Sequence, residues 1–259
     1  MLGAIAGDIV GSIYEHANIK TKDFPLFGPG CRFTDDTVLS VAVADCLLNQ
    51  GDFAMALRAY TRAHPRRGYG AMFRRWALSD DLPAYGSWGN GSAMRVGPVG
   101  FAAGHEDEAL ALAARSSEVS HDHPDALAGA QAVALAIYLA RRGRDRAAIR
   151  AEIAARFGYD LTESVAEIRV RYTFDVSAAG TVPPALTCAL EAEDFEDALR
   201  NAVSIGGDTD TVACIAGGLA EALFGLPEAI AAPARAYLTD DLAAVVARFH
   251  ATYGPPAQA

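Results

Sequence analysis

Apolar residues recur at helical spacing along most of the chain. Leu2, Ile5, Ile9 and Ile13 predict a first helix over residues 2–16. Gly3, Gly7 and Gly11 return every four residues along it, so one face is bare backbone that another helix can approach closely. Residues 38–44 are apolar nearly all round and predict a buried helix running on to 48. Helical patterns follow at 53–62, 73–78, 107–117, 126–141, 195–203 and 212–224, and Pro227 and Pro233 punctuate the last helices. Residues 169–176 alternate instead, with Val170, Tyr172, Phe174 and Val176 on one side, which predicts a strand or an extended segment leading into 177–184. Residues 24–30, rich in Gly and Pro, predict a loop that serves as a connection or a lid. Residues 64–67 read as a basic turn at the surface, and 254–259 as a frayed tail. No repeat or linker divides the chain, so a single domain over 1–259 is expected.

Composition narrows the class. Hydrophobic content of 51% with 21% charged residues fits a globular chain, and abundant alanine with few β-branched runs favours an all-α fold. The net charge of −10 argues against a nucleic-acid-binding surface. Lys20 and Lys22 are the only lysines, which excludes most lysine-centred chemistry, including the P-loop. Cys31, Cys46, Cys188 and Cys214 are scattered without a C-x-x-C pair, so neither a zinc framework nor a disulfide scaffold is suggested and a reducing cytoplasm fits. The apolar run 126–140 contains Gln131 and is too short to span a bilayer. The N-terminus lacks a basic region and carries Asp8, unlike a signal peptide.

Two acidic clusters carry the chemistry. Asp208 and Asp210 alternate with Thr209 and Thr211, after two glycines and before a long apolar run. Neighbouring carboxylates repel unless a cation lies between them, and Mg²⁺, Mn²⁺ and Ca²⁺ prefer such oxygens. Thr34, Asp35 and Asp36 stand at the start of the buried helix from 38. Taken alone, Thr34 is an N-cap and the two acids complement the helix dipole. Together, Thr34, Asp35, Asp36, Asp208, Asp210 and Thr211 offer six oxygen ligands, a number that suits two ions sharing bridging carboxylates better than one. Asp8 and Glu15 lie seven apart, on nearly the same helical face. As a pair they read as two solvated acids on a surface helix; alternatively Glu15 looks out from a helix end toward the site. Gly86, Gly89 and Gly91 punctuate a loop over 85–95 that follows no strand, so it is no dinucleotide fingerprint, but its amides could cradle an anion such as a diphosphate. His121 and His123 fall in a polar loop and are expected to hydrogen-bond.

These residues resemble those of the ADP-ribosylglycohydrolases. The resemblance rests on Gly7-Asp-Ile-Val-Gly-Ser-Ile-Tyr-Glu15, Phe33-Thr-Asp-Asp-Thr37, Gly89-Asn-Gly-Ser-Ala-Met-Arg95, Ser120-His121 and Gly206-Gly-Asp-Thr-Asp-Thr211, in the family's order. It implies a compact orthogonal helical bundle with a dinuclear Mg²⁺ or Mn²⁺ site in a central cleft. It implies Thr34, Asp35, Asp36, Asp208, Asp210 and Thr211 as ligands, with Glu15 and Asp36 in catalysis. The ADP-ribose would lie against Gly86, Ser87, Trp88, Gly89, Asn90, Gly91, Met94 and His121. The implied reaction is hydrolysis of the glycosidic bond between ADP-ribose and a modified protein or small molecule, by a cytoplasmic monomer. Segment 169–181 departs from the family's pattern, which leaves Tyr172 and Phe174 as candidates to stack on adenine. Two other functions fit parts of the pattern: a Mg²⁺-dependent phosphohydrolase, from the Asp-x-Asp at 208–210, and a non-catalytic ADP-ribose binder. Against the first, no buried strand precedes Asp208 and no lysine follows it.

Overall fold

A computed structural model of the chain describes residues 1–254, so the expected frayed tail lies outside the described residues except for Gly254. The fold is all-α. Helices α1 (Leu2–Gly11), α2 (Asp35–Asn49), α3 (Phe53–Ala63) and α4 (Ala71–Ala77) come first. Short α5 (Gly91–Met94) and α6 (Gly97–Ala102) lead into α7 (Glu106–Glu118) and α8 (Pro124–Arg141). Next come α9 (Arg146–Phe157), α10 (Val165–Arg171) and α11 (Ala178–Leu190). The last four are α12 (Phe195–Ile205), α13 (Thr209–Phe224), α14 (Glu228–Ala236) and α15 (Asp240–Tyr253).

The core is built on α13, which is buried from Thr209 to Ala220 and packs against α1, α8, α11 and α12. Every residue of α1 is buried, and its glycines explain how two backbones meet there. A Cβ on Gly7 would lie 1.9 Å from the Ala213 carbonyl oxygen; on Gly3, 2.5 Å from that of Gly217; on Gly11, 2.3 Å from that of Thr209. The partners run antiparallel in steps of four, so one bare face of α1 lies along α13 at a distance no side chain would permit. The register brings Asp8 of α1 beside the N-terminus of α13.

The first helix stops five residues short of the predicted end. The Ser12 hydroxyl donates back to the Ile9 carbonyl at 2.8 Å and accepts from the Arg32 amide at 3.1 Å, and the chain turns away. Residues 169–176 also differ from a strand. The Ser164 hydroxyl accepts from the Glu167 amide while Glu167 reaches back to the Ser164 amide, a capping box that starts α10 and carries it to Arg171. Only the part from Tyr172 onward is extended. It pairs with the glycine-rich loop: Asn90 N donates to Val176 O at 2.8 Å and Ala178 N to Trp88 O at 3.0 Å. Pro183 and Pro184 lie inside α11 without ending it. The helix forgoes two amide donors there, and its packing against α8, α12 and α13 holds it together.

Candidate metal centre and cleft

The acids converge where three elements begin or end. Thr34 is the N-cap of α2 and Asp208 that of α13, and Glu15 stands in the turn after α1. Two groups of carboxylate oxygens form, each with its members within 4.8 Å of one another: Asp8, Asp36 and Asp210, and Glu15, Asp208 and Asp210. Asp210 belongs to both, so the groups are adjacent rather than separate sites.

Asp8 was missed as a site residue and is no solvated surface acid: it is 0% exposed. Its Oδ2 accepts from the amides of Thr34 (2.9 Å) and Thr37 (3.1 Å) and from the Thr37 hydroxyl, and its Oδ1 from the Thr34 hydroxyl at 2.6 Å. A carboxylate of α1 thus caps the N-terminus of α2 from outside, complementing the helix dipole there. Glu15 does not share a helical face with Asp8, because α1 ends before it. What carries Glu15 to the site is Asn18, another residue missed in the sequence. Asn18 Oδ1 accepts from Gly207 N at 2.7 Å and its Nδ2 donates to Gly207 O at 3.0 Å. Gly206 and Gly207 themselves have positive φ, 73° and 80°, as the sharp turn into α13 requires.

Capping alone does not account for the other acids. Asp208 makes no side-chain cap bond to α13; its Oδ2 instead accepts from Asn90 Nδ2 at 2.8 Å, tying the glycine-rich loop to the acid cluster. Asp36 Oδ1 is buried without any hydrogen-bond partner. An orphaned carboxylate oxygen amid other carboxylates is a position for a cation. The electrostatics agree. Burial, then repulsion from Asp8, pushes Asp35 up to about 8. The same two causes hold Asp36 well above the usual carboxylate range, and burial followed by repulsion from Asp36 does so for Asp210. Burial, opposed by His16 and reinforced by Asp208, also raises Glu15. The residues present therefore fit divalent cations.

Above the acids opens a cleft of about 620 Å³. Every residue predicted for the site lines it except Gly86, whose amide donates to Asp122 Oδ1 at 2.6 Å at the loop's outer edge. Asp35, Thr34 and Thr211 line it outside the two carboxylate groups; the Thr211 hydroxyl is 3.8 Å from Met94 Sδ. His121 is buried with Nδ1 2.8 Å from the Ser120 hydroxyl, and burial holds its pKa well below the ordinary value, so it is neutral at pH 7. Its Nε2 would lie 2.9 Å from a Cβ on Gly91, which explains the glycine there. His123 caps α8, accepting from the Asp125 amide. Of the two aromatic candidates, Phe174 lines the cleft, whereas Tyr172 is buried under Gly207, where an added Cβ would lie 2.4 Å from its ring. The basic turn at 64–67 is at the surface, with Arg66 exposed, and it borders the cleft: Arg66 and Arg67 line the wall, as does Arg32. A larger depression of about 820 Å³ beside α9 is more open and is bordered by the Arg150–Glu191 pair at 3.9 Å, with no clustered acids.

The fold and site are those of an all-helical bundle with paired acid groups beneath a glycine-rich loop, and comparison with known proteins says which family builds it. A model of the ADP-ribosylglycohydrolase family matches residues 1–258, and the chain belongs to that family. Mouse ADP-ribosylhydrolase ARH3 is 23% identical over 88% of this chain and 83% of its own length. ADP-ribosylarginine hydrolase Tri1 of Pseudomonas putida (strain GB-1) is 28% identical over 87% and 70%. ADP-ribosyl-[dinitrogen reductase] glycohydrolase of Rhodospirillum rubrum is 26% identical over 88% and 85%. A solved structure, an ADP-ribosylglycohydrolase-related protein complex, superposes with a TM-score of 0.73 at 26% identity, covering 97% of both chains. The activity is accordingly that of an ADP-ribosylglycohydrolase, hydrolysis of ADP-ribose from its conjugates. No helix among the described residues is long and apolar enough to cross a membrane.

Proposed function

We propose that this chain cleaves the glycosidic bond at the distal ribose of an ADP-ribosyl conjugate, with the ribose seated on the acid cluster and two divalent cations, Mg²⁺ or Mn²⁺, held by it. The observation that carries this is the pair of carboxylate groups joined through Asp210 at the base of a cleft walled by the glycine-rich loop. Asp36, Asp208 and Asp210 hold the cations with Asp35, Thr34 and Thr211; Asp8 keeps Thr34 and the start of α2 in place. Such ions, when bound, supply Lewis acidity toward the ribose hydroxyls and the attacking water. Glu15 takes the proton from that water, its carboxyl standing beside Asp208 and Asp210 at the edge of the cleft, where burial raises its proton affinity. Asp36 presents its unpartnered Oδ1 to the same centre.

The diphosphate lies along the loop from Gly86 to Gly91. The amides of Gly86, Gly89 and Asn90 are already engaged, which leaves those of Ser87, Trp88 and Gly91 for it. Met94 and neutral His121 back the loop, and Phe174 is the aromatic surface offered to adenine. The chain acts as a cytoplasmic monomer; four buried, unpaired cysteines suit a reducing compartment. The relatives' names include an arginine conjugate and a modified reductase, so the acceptor is not given by the family.

The test is release of ADP-ribose from a panel of serine-, arginine- and acetyl-linked conjugates with Mg²⁺, with Mn²⁺ and with excess chelator. Cleavage of at least one linkage that chelator abolishes is expected. Undiminished cleavage in chelator, or phosphate release from simple monoesters in its place, would overturn the assignment.

A further inference from the structure

The cleft holds three arginines that the cation centre and the glycine-rich loop do not use. Arg32, Arg66 and Arg67 line it together with the acids. Among the described residues, none of the three is within ion-pair distance of any carboxylate, although Asp35 and Glu15 line the same cleft. Arg32 attracts Glu15 at longer range without pairing with it. Arg66 and Arg67 are not on a loose loop. The Arg67 carbonyl accepts from the Asp35 amide at 2.8 Å. Its guanidinium carbon sits 3.6 Å from the centre of the Phe33 ring, with Nη1 donating to Phe33 O at 3.4 Å. Gly68 packs so close that an added Cβ would lie 3.0 Å from Asp35 Oδ1. The turn is thus fixed to the Asp35 side of the acid cluster, while the glycine-rich loop is fixed to the Asp208 side through Asn90.

A substrate whose ADP portion occupies the loop and whose distal ribose sits on the acids must send its acceptor toward the wall that remains. That wall carries three guanidinium groups without a carboxylate partner, Arg67's being engaged with Phe33, on a chain of net charge −10. Guanidinium forks recognise carboxylate and phosphate oxygens and repel cations. We propose that Arg32, Arg66 and Arg67 form an anion-binding subsite for the acceptor, so that the preferred substrate is ADP-ribose attached to an acidic peptide, with carboxylate or phosphate groups next to the modified residue. ADP-ribosylarginine, which keeps its positive charge in the conjugate, is disfavoured. This rests on the hydrolase assignment above and adds the acceptor class to it.

The experiment compares kcat/KM on peptides carrying ADP-ribose on serine or on arginine. Each is made with glutamate, phosphoserine or lysine flanks; the first two separate a carboxylate from a phosphate source. Within any linkage cleaved, acidic flanks are expected to exceed lysine flanks by about tenfold at low salt, mainly through KM, with the ratio shrinking as salt is added. The double variant Arg32→Gln/Arg66→Gln, both exposed side chains, is expected to bring the ratio to within about twofold. The same charge change at Arg74 and Arg75, exposed on α4 outside the cleft, should leave the ratio intact. Indifference of the wild-type chain to the flanks, or an acidic preference that survives the Arg32/Arg66 change, overturns this inference alone. No release from any conjugate overturns the hydrolase assignment and the subsite with it.

Discussion

Asp8 holds four donors at the mouth of α2, of which the Thr34 hydroxyl has a second acceptor, Asp36 Oδ2 at 3.3 Å. Asp8→Ala leaves the Thr34 and Thr37 amides and the Thr37 hydroxyl buried without this acceptor, so a loss of about 3 kcal/mol or more is expected in denaturant unfolding, with Asp8→Asn intermediate because one acceptor oxygen stays. A loss under about 1 kcal/mol for the alanine variant would show that the cap is dispensable. The crowding of Asp35, Asp36 and Asp210 has its own signature. Their folded-state pKa values are raised, so the metal-free folded chain binds more protons than the unfolded one. Its relative stability is therefore greatest below the unfolded value of 3.8 and is lost as pH climbs through about 8, where Asp35 titrates. The gain in Tm on adding Mn²⁺ should accordingly widen from pH 5 to pH 8; a gap that stays flat would contradict the repulsion. Asp36, Asp208 and Asp210 could be singled out from the sequence because two Thr- and Asp-rich clusters each open a long apolar helix, where the helix dipole alone would explain either one. Asp8 could not. Its spacing from Glu15 suggested a shared solvated face, and nothing in one dimension shows that α1 is buried all round or that it ends at Gly11.

At the scale of elements, the antiparallel contact of α1 with α13 sets the distance between the two acid groups. Gly7→Ala would drive a Cβ to 1.9 Å from the Ala213 carbonyl oxygen, and backbone cannot swing aside as a side chain can. We expect about 3 kcal/mol or more of destabilisation, together with weaker Mn²⁺ binding as α13 shifts. Gly28→Ala, with open space around it, should change stability by less than about 0.5 kcal/mol. Equal stability of the two variants would remove the close approach as an organising contact. The glycine repeat announced such an approach from the sequence, but not its partner, because contacts across more than two hundred positions leave no local trace. The main helices were likewise legible from apolar spacing. Helix α10 was hidden by the alternation of Val170, Tyr172, Phe174 and Val176, although its capping signature, Ser164 and Glu167, was present. In the structure Val170 is 88% exposed, so the alternation did not reflect a buried face. Helix α11 was not anticipated, since residues 177–184 with Pro183 and Pro184 carry no helical pattern, and its packing holds it together.

At the scale of the whole molecule, the chain converges on one shared centre. Helices α1, α2 and α13 deliver acids from both ends of the chain to a single point, and the cleft above it joins the glycine-rich loop on one side to the arginine wall on the other. The sequence motifs showed which residues meet. They did not show that Asp210 joins both carboxylate groups or that the turn at 64–67 borders the cleft, since both depend on packing between distant segments. The most direct test measures Mn²⁺ binding stoichiometry and ADP-ribose release together, on the wild-type chain and on Asp210→Asn. Two ions per wild-type chain are expected, with tight binding of both ions and the release of ADP-ribose lost together in the variant. One ion retained at wild-type affinity with undiminished release would contradict a shared dinuclear centre.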